Sequence, residues 1–391
     1  MTACITGWAH SRFGKLEGED IESLIVKVAA DAIRDSGLSP ADIDEIYLGT
    51  FNGGFVRQEF PSSLVLQLDP ALRYKPVTRV ENACATGSAA IYQGLNAIAA
   101  KRARRVLVVG VEKMTEITGP QVGDILIRAA YLKEEGGIEG GFAGVFGRIA
   151  QAYFQRYGDK SDALAKIAAK NHKNGASNPL AQIRKDLGYD FCRTVSDKNP
   201  IVAGPLRRTD CSLVSDGAAA LVLTDIDTAL GMEKAVVFRA AEHVNDFLPM
   251  SKRDITSYEG PEVAWQRAFT SAGVGLDDLS CAEVHDCFTI AELMIYEAMG
   301  LAKKGEGARV IEDGISEKTG KLPINASGGL KAKGHPIGAT GVAQLTECWW
   351  QLREEAGERQ VAIRNGFALQ HNVGGRGSGV AVVNILTRNR T

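Results

Sequence analysis

Between residues 20 and 36 the apolar positions Ile21, Leu24, Ile25, Val28, Ala29 and Ile33 fall three or four apart. That spacing predicts one buried helical face, and Gly37 can end it. Ile91, Leu95 and Ile98 repeat the spacing after a run of small residues, Ala83 to Ala90, and predict a second helix opening near Cys84. Elsewhere the apolar residues are continuous. Val106-Leu107-Val108-Val109 and Ala218-Ala219-Ala220-Leu221-Val222-Leu223 predict strands buried on both faces. Residues 45–50 and 282–284 read as shorter strands, residues 38–43 as a turn into a bend, and residues 289–299 as a helix.

The pattern changes between about 114 and 205. Glycine pairs (Gly136-Gly137, Gly140-Gly141) precede helical segments around 149–157 and 164–172 and a polar, basic tail. This segment reads as an inserted lobe, because strand pattern resumes at 216–223 as if continuing the first unit. The second half then restates the first. Ala32-Ile33-Arg34-Asp35-Ser36-Gly37-Leu38 is matched by Ala268-Phe269-Thr270-Ser271-Ala272-Gly273-Val274, and Ala85-Thr86-Gly87-Ser88-Ala89 by Ala339-Thr340-Gly341-Val342-Ala343. The strand at 106–109 finds a counterpart at 361–364, and the closing strand at 219–223 one at 379–383. Matches in the same order predict two copies of one α/β unit, with mixed sheets covered by helices.

Composition narrows the function classes. The chain has 391 residues, 45% of them hydrophobic, enough for a large core in two or three domains. Lys plus Arg is 45 against 47 for Asp plus Glu, so no global basic field recruits nucleic acid or membrane. No apolar run is long enough to span a bilayer. The N-terminus lacks a secretory pattern and Asn389-Arg390-Thr391 is not a peroxisomal address, so the expected location is cytoplasmic. Seven cysteines without paired spacing suit a reducing compartment rather than a disulfide framework.

Four stretches carry residues that do chemistry. In Glu81-Asn82-Ala83-Cys84-Ala85-Thr86-Gly87-Ser88 a thiol stands at a helix N-terminus, where the dipole favours thiolate, the nucleophilic form. A small buried cysteine used for packing fits the same stretch. Glu283-Val284-His285-Asp286-Cys287-Phe288 follows a strand; His285 and Cys287 alone make a weak zinc pair. Residues 325–341, ending Gly334-His335-Pro336-Ile337-Gly338-Ala339-Thr340-Gly341, are glycine-rich but lack the Gly-Lys-Ser/Thr ending of a nucleotide loop. His371-Asn372-Val373-Gly374-Gly375-Arg376-Gly377-Ser378-Gly379 offers glycines that serve equally for a tight turn.

Together the four stretches resemble the thiolase family over nearly the whole chain. Asn82-Ala83-Cys84-Ala85-Thr86-Gly87-Ser88 is similar to the family's nucleophile motif and Gly334–Gly341 to its Gly-His-Pro loop. Two departures point to a subgroup. His285-Asp286-Cys287-Phe288 stands where most members have Asn-Glu-Ala-Phe, and Asn372-Val373-Gly374 where most have Cys-x-Gly. This combination resembles the sterol-carrier-protein-X-like and archaeal-type acetyl-CoA acetyltransferases. The resemblance implies a duplicated five-layered α-β-α-β-α fold with an inserted loop lobe. The first half would comprise 1–113 plus 206–227, the lobe 114–205 (coenzyme A binding, oligomerisation) and the second half 228–391.

The implied activity is ping-pong acyl transfer through Cys84. It would cleave a 3-oxoacyl-CoA with CoA or condense two acyl-CoA molecules. His335 is then the base for Cys84, Cys287 the second acid/base, His285 with His335 the donors to a thioester enolate, and the Cys84 and Gly374 amides the donors to the acyl oxygen. No permanently bound cofactor and no metal are implied; coenzyme A is substrate and product. Arg184, Lys185, Arg193, Arg207 and Arg208 are basic candidates for its phosphates, and residues 142–146 for its pantetheine channel. Expected partners are acyl-CoA and CoA, a second copy in a homodimer or homotetramer, and an OB-fold zinc-ribbon protein or a hydroxymethylglutaryl-CoA synthase. A β-ketoacyl synthase and a thioester-channelling subunit are the alternatives.

Overall fold

The computed structural model describes residues 3–375 and 380–388. The strands are β1 Ala3–His10, β2 Glu45–Gly49, β3 Val77–Val80, β4 Arg105–Glu112, β5 Ile201–Ala203, β6 Leu206–Arg207, β7 Gly217–Asp225, β8 Val236–Asn245, β9 Leu279–Glu283, β10 Phe367–Gly374 and β11 Val380–Thr387. Nine of them run in the order β3-β2-β4-β7-β1-β8-β11-β10-β9; β5 and β6 form a separate hairpin. The long sheet is two arms joined at β1 and β8, which among the described residues pair through Cys4 with Val237 and Ile5 with Val236.

The arms share one plan. In the first, β2 is parallel to β3 and β4, and β4, β7 and β1 follow antiparallel. In the second, β9 is parallel to β10, and β10, β11 and β8 follow antiparallel. A parallel bridge from Ala282 to Ile324 stands where β3 stands in the first arm. The helices before β2 and β9, Ile21–Asp35 and Glu259–Ala272, both stop at a left-handed glycine, Gly37 (φ 74°) and Gly273 (φ 69°). The first helix starts on a reciprocal cap: Asp20 accepts the Ser23 N–H and the Ser23 hydroxyl accepts that of Asp20.

Side-chain alternation on the strands sorts these parts into five layers. Val106 and Val108 of β4, with Leu221 and Leu223 of β7, face a central layer shared with helices Thr86–Ala99 and Ile337–Arg353. Leu107, Val109 and Val111 face the other way, onto the helix Ile21–Asp35. In the second arm, Phe238 and Leu386 face the same central helices, while Ala240, Val383 and Ile385 face Trp265 and Ala268 of the outer helix. The predicted duplicated architecture is therefore present as helix, sheet, helix, sheet, helix.

The counterpart of β4 is not at 361–364. That stretch is irregular, and β10 begins at Phe367. Two of its four backbone donors are taken by side chains rather than by a neighbouring strand: Val361 N–H by Gln351 Oε1 and Arg364 N–H by Ser280 Oγ. Residue 379, expected in the closing strand, lies outside the described residues, as do 376–378 of the fourth motif. The segment 114–205 contributes helices Gly141–Tyr157 and Ser161–Ala176. Their apolar faces (Phe142, Phe146, Ile149, Leu164, Ile167) merge with the core of the second arm. Among the described residues no helix is long and apolar enough to cross a membrane.

Candidate active site

The two central helices begin side by side because small residues line their crossing. A Cβ on Gly87 would lie 2.7 Å from the Gly338 carbonyl oxygen, and one on Gly341 2.2 Å from Ser88 Oγ. This close approach brings together the loops that precede each helix, one carrying Cys84 and the other His335. Cys84 sits two residues ahead of its helix, behind Ala83, whose φ of 47° is left-handed without a glycine to ease it. Strain of this kind costs on the order of 1–3 kcal/mol and persists where surrounding contacts enforce it. Here Ala83 N–H is held by Glu81, and Thr86 ties the turn through Asn82 N–H and Ala83 O.

Three donor atoms, Cys84 Sγ and one ring nitrogen each of His285 and His335, lie within 4.8 Å of one another. The two rings meet edge to face at 5.2 Å between centroids. Cys287 shares with Cys84 and His335 a cavity of about 160 Å³, whose apolar wall includes Met114, Leu126, Phe142, Val214, Phe288 and Ile337. The sequence-predicted nucleophile, base and second acid/base thus face one space, and His285 adjoins two of them. One sulfur and two imidazoles at this separation also match the donor types of a zinc site.

Each histidine is fixed at Nδ1. His285 Nδ1 lies 2.9 Å from Asn372 Nδ2, and His335 Nδ1 lies 2.6 Å from Thr340 Oγ1. His335 N–H donates to Ser215 Oγ, which holds the Gly-His-Pro loop, while His335 Nε2 is buried with no partner. The loop bearing His285 and Cys287 hangs from buried polar groups. Asn325, left-handed at φ 58°, accepts Val284 N–H at Oδ1 and donates to Glu292, which pairs with Lys170 at 2.9 Å. Asp286 turns away from the cavity and accepts Asn171 Nδ2 and the Leu330 and Lys331 N–H groups. Burial and then Glu292 push the Asp286 carboxyl up to about 7.

Charge in the cavity is disfavoured throughout. The dipole argument anticipates a thiolate at Cys84, but burial, with Glu81 and Glu112 nearby, pushes its thiol up to about 12. The Cys84 and Gly375 N–H groups that face the sulfur offset this only in part. Burial takes His335 down to about 3 and His285 well below its ordinary value. Cys287 is raised by burial and by the neighbouring Cys84. The resting set is therefore two thiols and two neutral imidazoles.

The remaining expected residues are placed as follows. Gly374 ends β10 against the nucleophile loop, where a Cβ would lie 2.6 Å from Asn82 O. The amide aimed at the sulfur belongs to the next residue, Gly375. Phe142 lines the cavity and Phe146 stacks on Phe288 with ring centroids 4.2 Å apart. Of the basic candidates, Arg207 is buried and committed to Asp210, Cys192 O and Ser161 O. Arg193 is paired with Asp162, whereas Arg184, Lys185 and Arg208 are exposed. Asn372 and Thr340 carry no role in the sequence motifs, yet both hold the site's histidines. Asn372 Nδ2 also reaches the Cys84 carbonyl oxygen at 3.1 Å across 288 residues of chain. Its signal is a polar pair, Gln370 and Asn372, on one face of a strand whose remaining residues are apolar except His371.

Comparison with known proteins covers both arms. Residues 3–188 match the family model for the thiolase N-terminal domain, and residues 241–388 that for the thiolase C-terminal domain-like unit. The chain is 36% identical over 387 residues to an acetyl-CoA acetyltransferase of Methanothermobacter thermautotrophicus, covering 98% of this chain and 99% of that one. It is 34% identical over 399 residues to sterol carrier protein 2 of Rattus norvegicus, covering 97% and 71%. A solved structure described as an Ltp2–ChsH2(DUF35) aldolase superposes with a TM-score of 0.83 over 100% of this chain and 98% of that chain, at 22% identity.

Proposed function

The chain belongs to the thiolase family, and from that premise we propose that it is an acyl-CoA acyltransferase whose cycle runs through Cys84. The β-ketoacyl synthase reading is not favoured, since both halves match thiolase models. The observation that carries the proposal is the convergence of Cys84, His285 and His335 within 4.8 Å beside the cavity that Cys287 also lines.

In the cleavage direction, Cys84 Sγ attacks C3 of a 3-oxoacyl-CoA as its proton passes to His335 Nε2. The C2–C3 bond breaks, leaving the acyl group on sulfur and an acetyl-CoA enolate. His285 and protonated His335 donate to the enolate oxygen, and Cys287 delivers its proton to C2. Free CoA then enters and gives its thiol proton to the Cys287 thiolate. The new thiolate attacks the acyl carbon, and Cys84 leaves, recovering its proton from His335. Condensation is the same path reversed. Each well-placed donor to a developing oxyanion contributes on the order of 3 kcal/mol. The acyl oxygen is assigned to the Cys84 N–H together with the Gly374–Gly375 turn.

The lobe at 114–205 would hold the pantetheine arm; Met114, Leu126, Phe142 and Val202 support this because they wall the cavity. Arg184, Lys185 and Arg208 remain as phosphate contacts, while Arg193 and Arg207 are taken by other partners. Homo-oligomerisation belongs to the proposal. So does a partner subunit, for which the DUF35-containing complex among the similar structures is the precedent. The test is loss of 3-oxoacyl-CoA absorbance with free CoA across chain lengths, together with mass spectrometry of trapped acyl-enzyme. Absence of acyl mass on Cys84 with every substrate ends the proposal.

A further inference from the structure

We infer that Asn372 is a positioning residue that keeps the proton of His285 on Nε2, while Thr340 keeps that of His335 on Nδ1, so the two imidazoles enter the reaction as opposite tautomers. The inference rests on the reading above that both act on one reacting group.

The hydrogen bonds fix the direction. A backbone carbonyl oxygen only accepts, so the Asn372 atom 3.1 Å from Cys84 O is the amide nitrogen. The same nitrogen is 2.9 Å from His285 Nδ1, and its second proton points there. His285 Nδ1 is then a lone pair, and the neutral ring carries its proton on Nε2. The amide cannot turn over, because Asn372 Oδ1 accepts the only proton of Ser88 Oγ at 2.9 Å. Ser88 in turn accepts from Gln370 Nε2 at 2.9 Å, and that amide is oriented by Asn384, whose Nδ2 donates to Gln370 Oε1 at 2.7 Å. Asn384, Gln370, Ser88, Asn372 and His285 are all buried, so no water competes for these bonds. The relay runs one way, from β11 through β10 and the Cys84 helix to His285.

At His335 the polarity is reversed. Thr340 Oγ1 donates to Pro336 O at 2.9 Å, which leaves the hydroxyl as acceptor for His335 Nδ1–H at 2.6 Å. His335 Nε2 is then a lone pair, consistent with its buried, unpartnered state, since a buried N–H without an acceptor is the costlier orphan. His285 therefore serves as donor from the start and never as base. His335 becomes a donor only after it has taken the Cys84 proton, so acylation completes the cradle for the enolate.

The test uses enzyme labelled with [15N]histidine, whose six rings are resolved by two-bond proton–nitrogen spectra and assigned with His285→Gln and His335→Gln. Expected are an Nε2–H tautomer at His285 and an Nδ1–H tautomer at His335; an Nδ1–H tautomer at His285 in the wild type overturns the proposal. Asn372→Asp keeps the volume but presents an acceptor, so His285 should switch to Nδ1–H. Steady-state kcat for 3-oxoacyl-CoA cleavage should fall on the order of 10²–10³-fold with KM little changed, while single-turnover acylation of Cys84 by acetyl-CoA, which forms no enolate, stays near the wild-type rate. If acylation by acetyl-CoA falls as far as turnover, Asn372 merely supports the Cys84 loop and the proposal is wrong. Should that variant not fold, Ser88→Ala frees the amide to turn and should give mixed tautomers at His285; a single unchanged tautomer refutes the relay. An inactive wild type would defeat the proposed function while the spectra still decide the tautomers.

Discussion

Raising pH should speed alkylation of Cys84 without a plateau through the neutral range. With its thiol near 12 and His335 near 3, the free enzyme holds a neutral pair. The gap makes proton transfer from sulfur to imidazole before substrate arrives cost on the order of 10 kcal/mol. With about 4 kcal/mol of attraction between its two charges, the zwitterion is then about one part in 10⁶, independent of pH, whereas the simple thiolate is about one part in 10⁵ at pH 7 and grows tenfold per pH unit. Thiolate therefore dominates reactivity above neutral pH, and the rate constant for iodoacetamide at Cys84 should climb about tenfold per unit from pH 7 to 9. Quenched samples read by peptide mass spectrometry give that constant directly. A flat profile between pH 5 and 8 would mean a preformed thiolate–imidazolium pair and would refute the burial argument. The expected slope also implies that attack and proton transfer occur together, with the charge passing to the oxyanion donors.

Four further outcomes follow from the geometry. Cys287→Ala should still acylate at Cys84 yet lose turnover on the order of 10²–10⁴-fold; steady-state rates near wild type would remove Cys287 from the mechanism. Cys84→Ala should leave no acyl-enzyme mass at all. Gly341→Ala places a Cβ 2.2 Å from Ser88 Oγ and 2.5 Å from Asn372 Oδ1, so denaturant unfolding should show a loss of about 1–3 kcal/mol; an unchanged midpoint would deny the tight crossing. Lys170→Met strands the buried Glu292 carboxylate, and a loss of about 3–5 kcal/mol is expected in the same measurement.

The sequence made the helices and the strands buried on both faces legible, since Ile21 to Ile33 and Val106 to Val109 each carry an undiluted period. It hid the edges of the duplication. β8 mixes Arg239, Glu242 and His243 into its apolar run, and the irregular 361–364 reads like a strand until the Val361 and Arg364 N–H groups are seen bonded to side chains. Site residues were legible where a motif named them. Their protonation was not, because the helix end argues for thiolate and only the packed structure shows how completely Cys84 is cut off from water. Asn372 escaped for a related reason: its value lies in contacts with Cys84, Ser88 and His285, all far away in the chain.

The bond between Asn372 and the Cys84 carbonyl has a bearing on biosynthesis. The ribosome makes the reactive thiol early and its anchoring amide nearly three hundred residues later. A chain stopped before residue 285 therefore carries that cysteine without its two imidazoles or its anchoring amide. The complete site is therefore assembled only once β10 has been made and laid against the nucleophile loop.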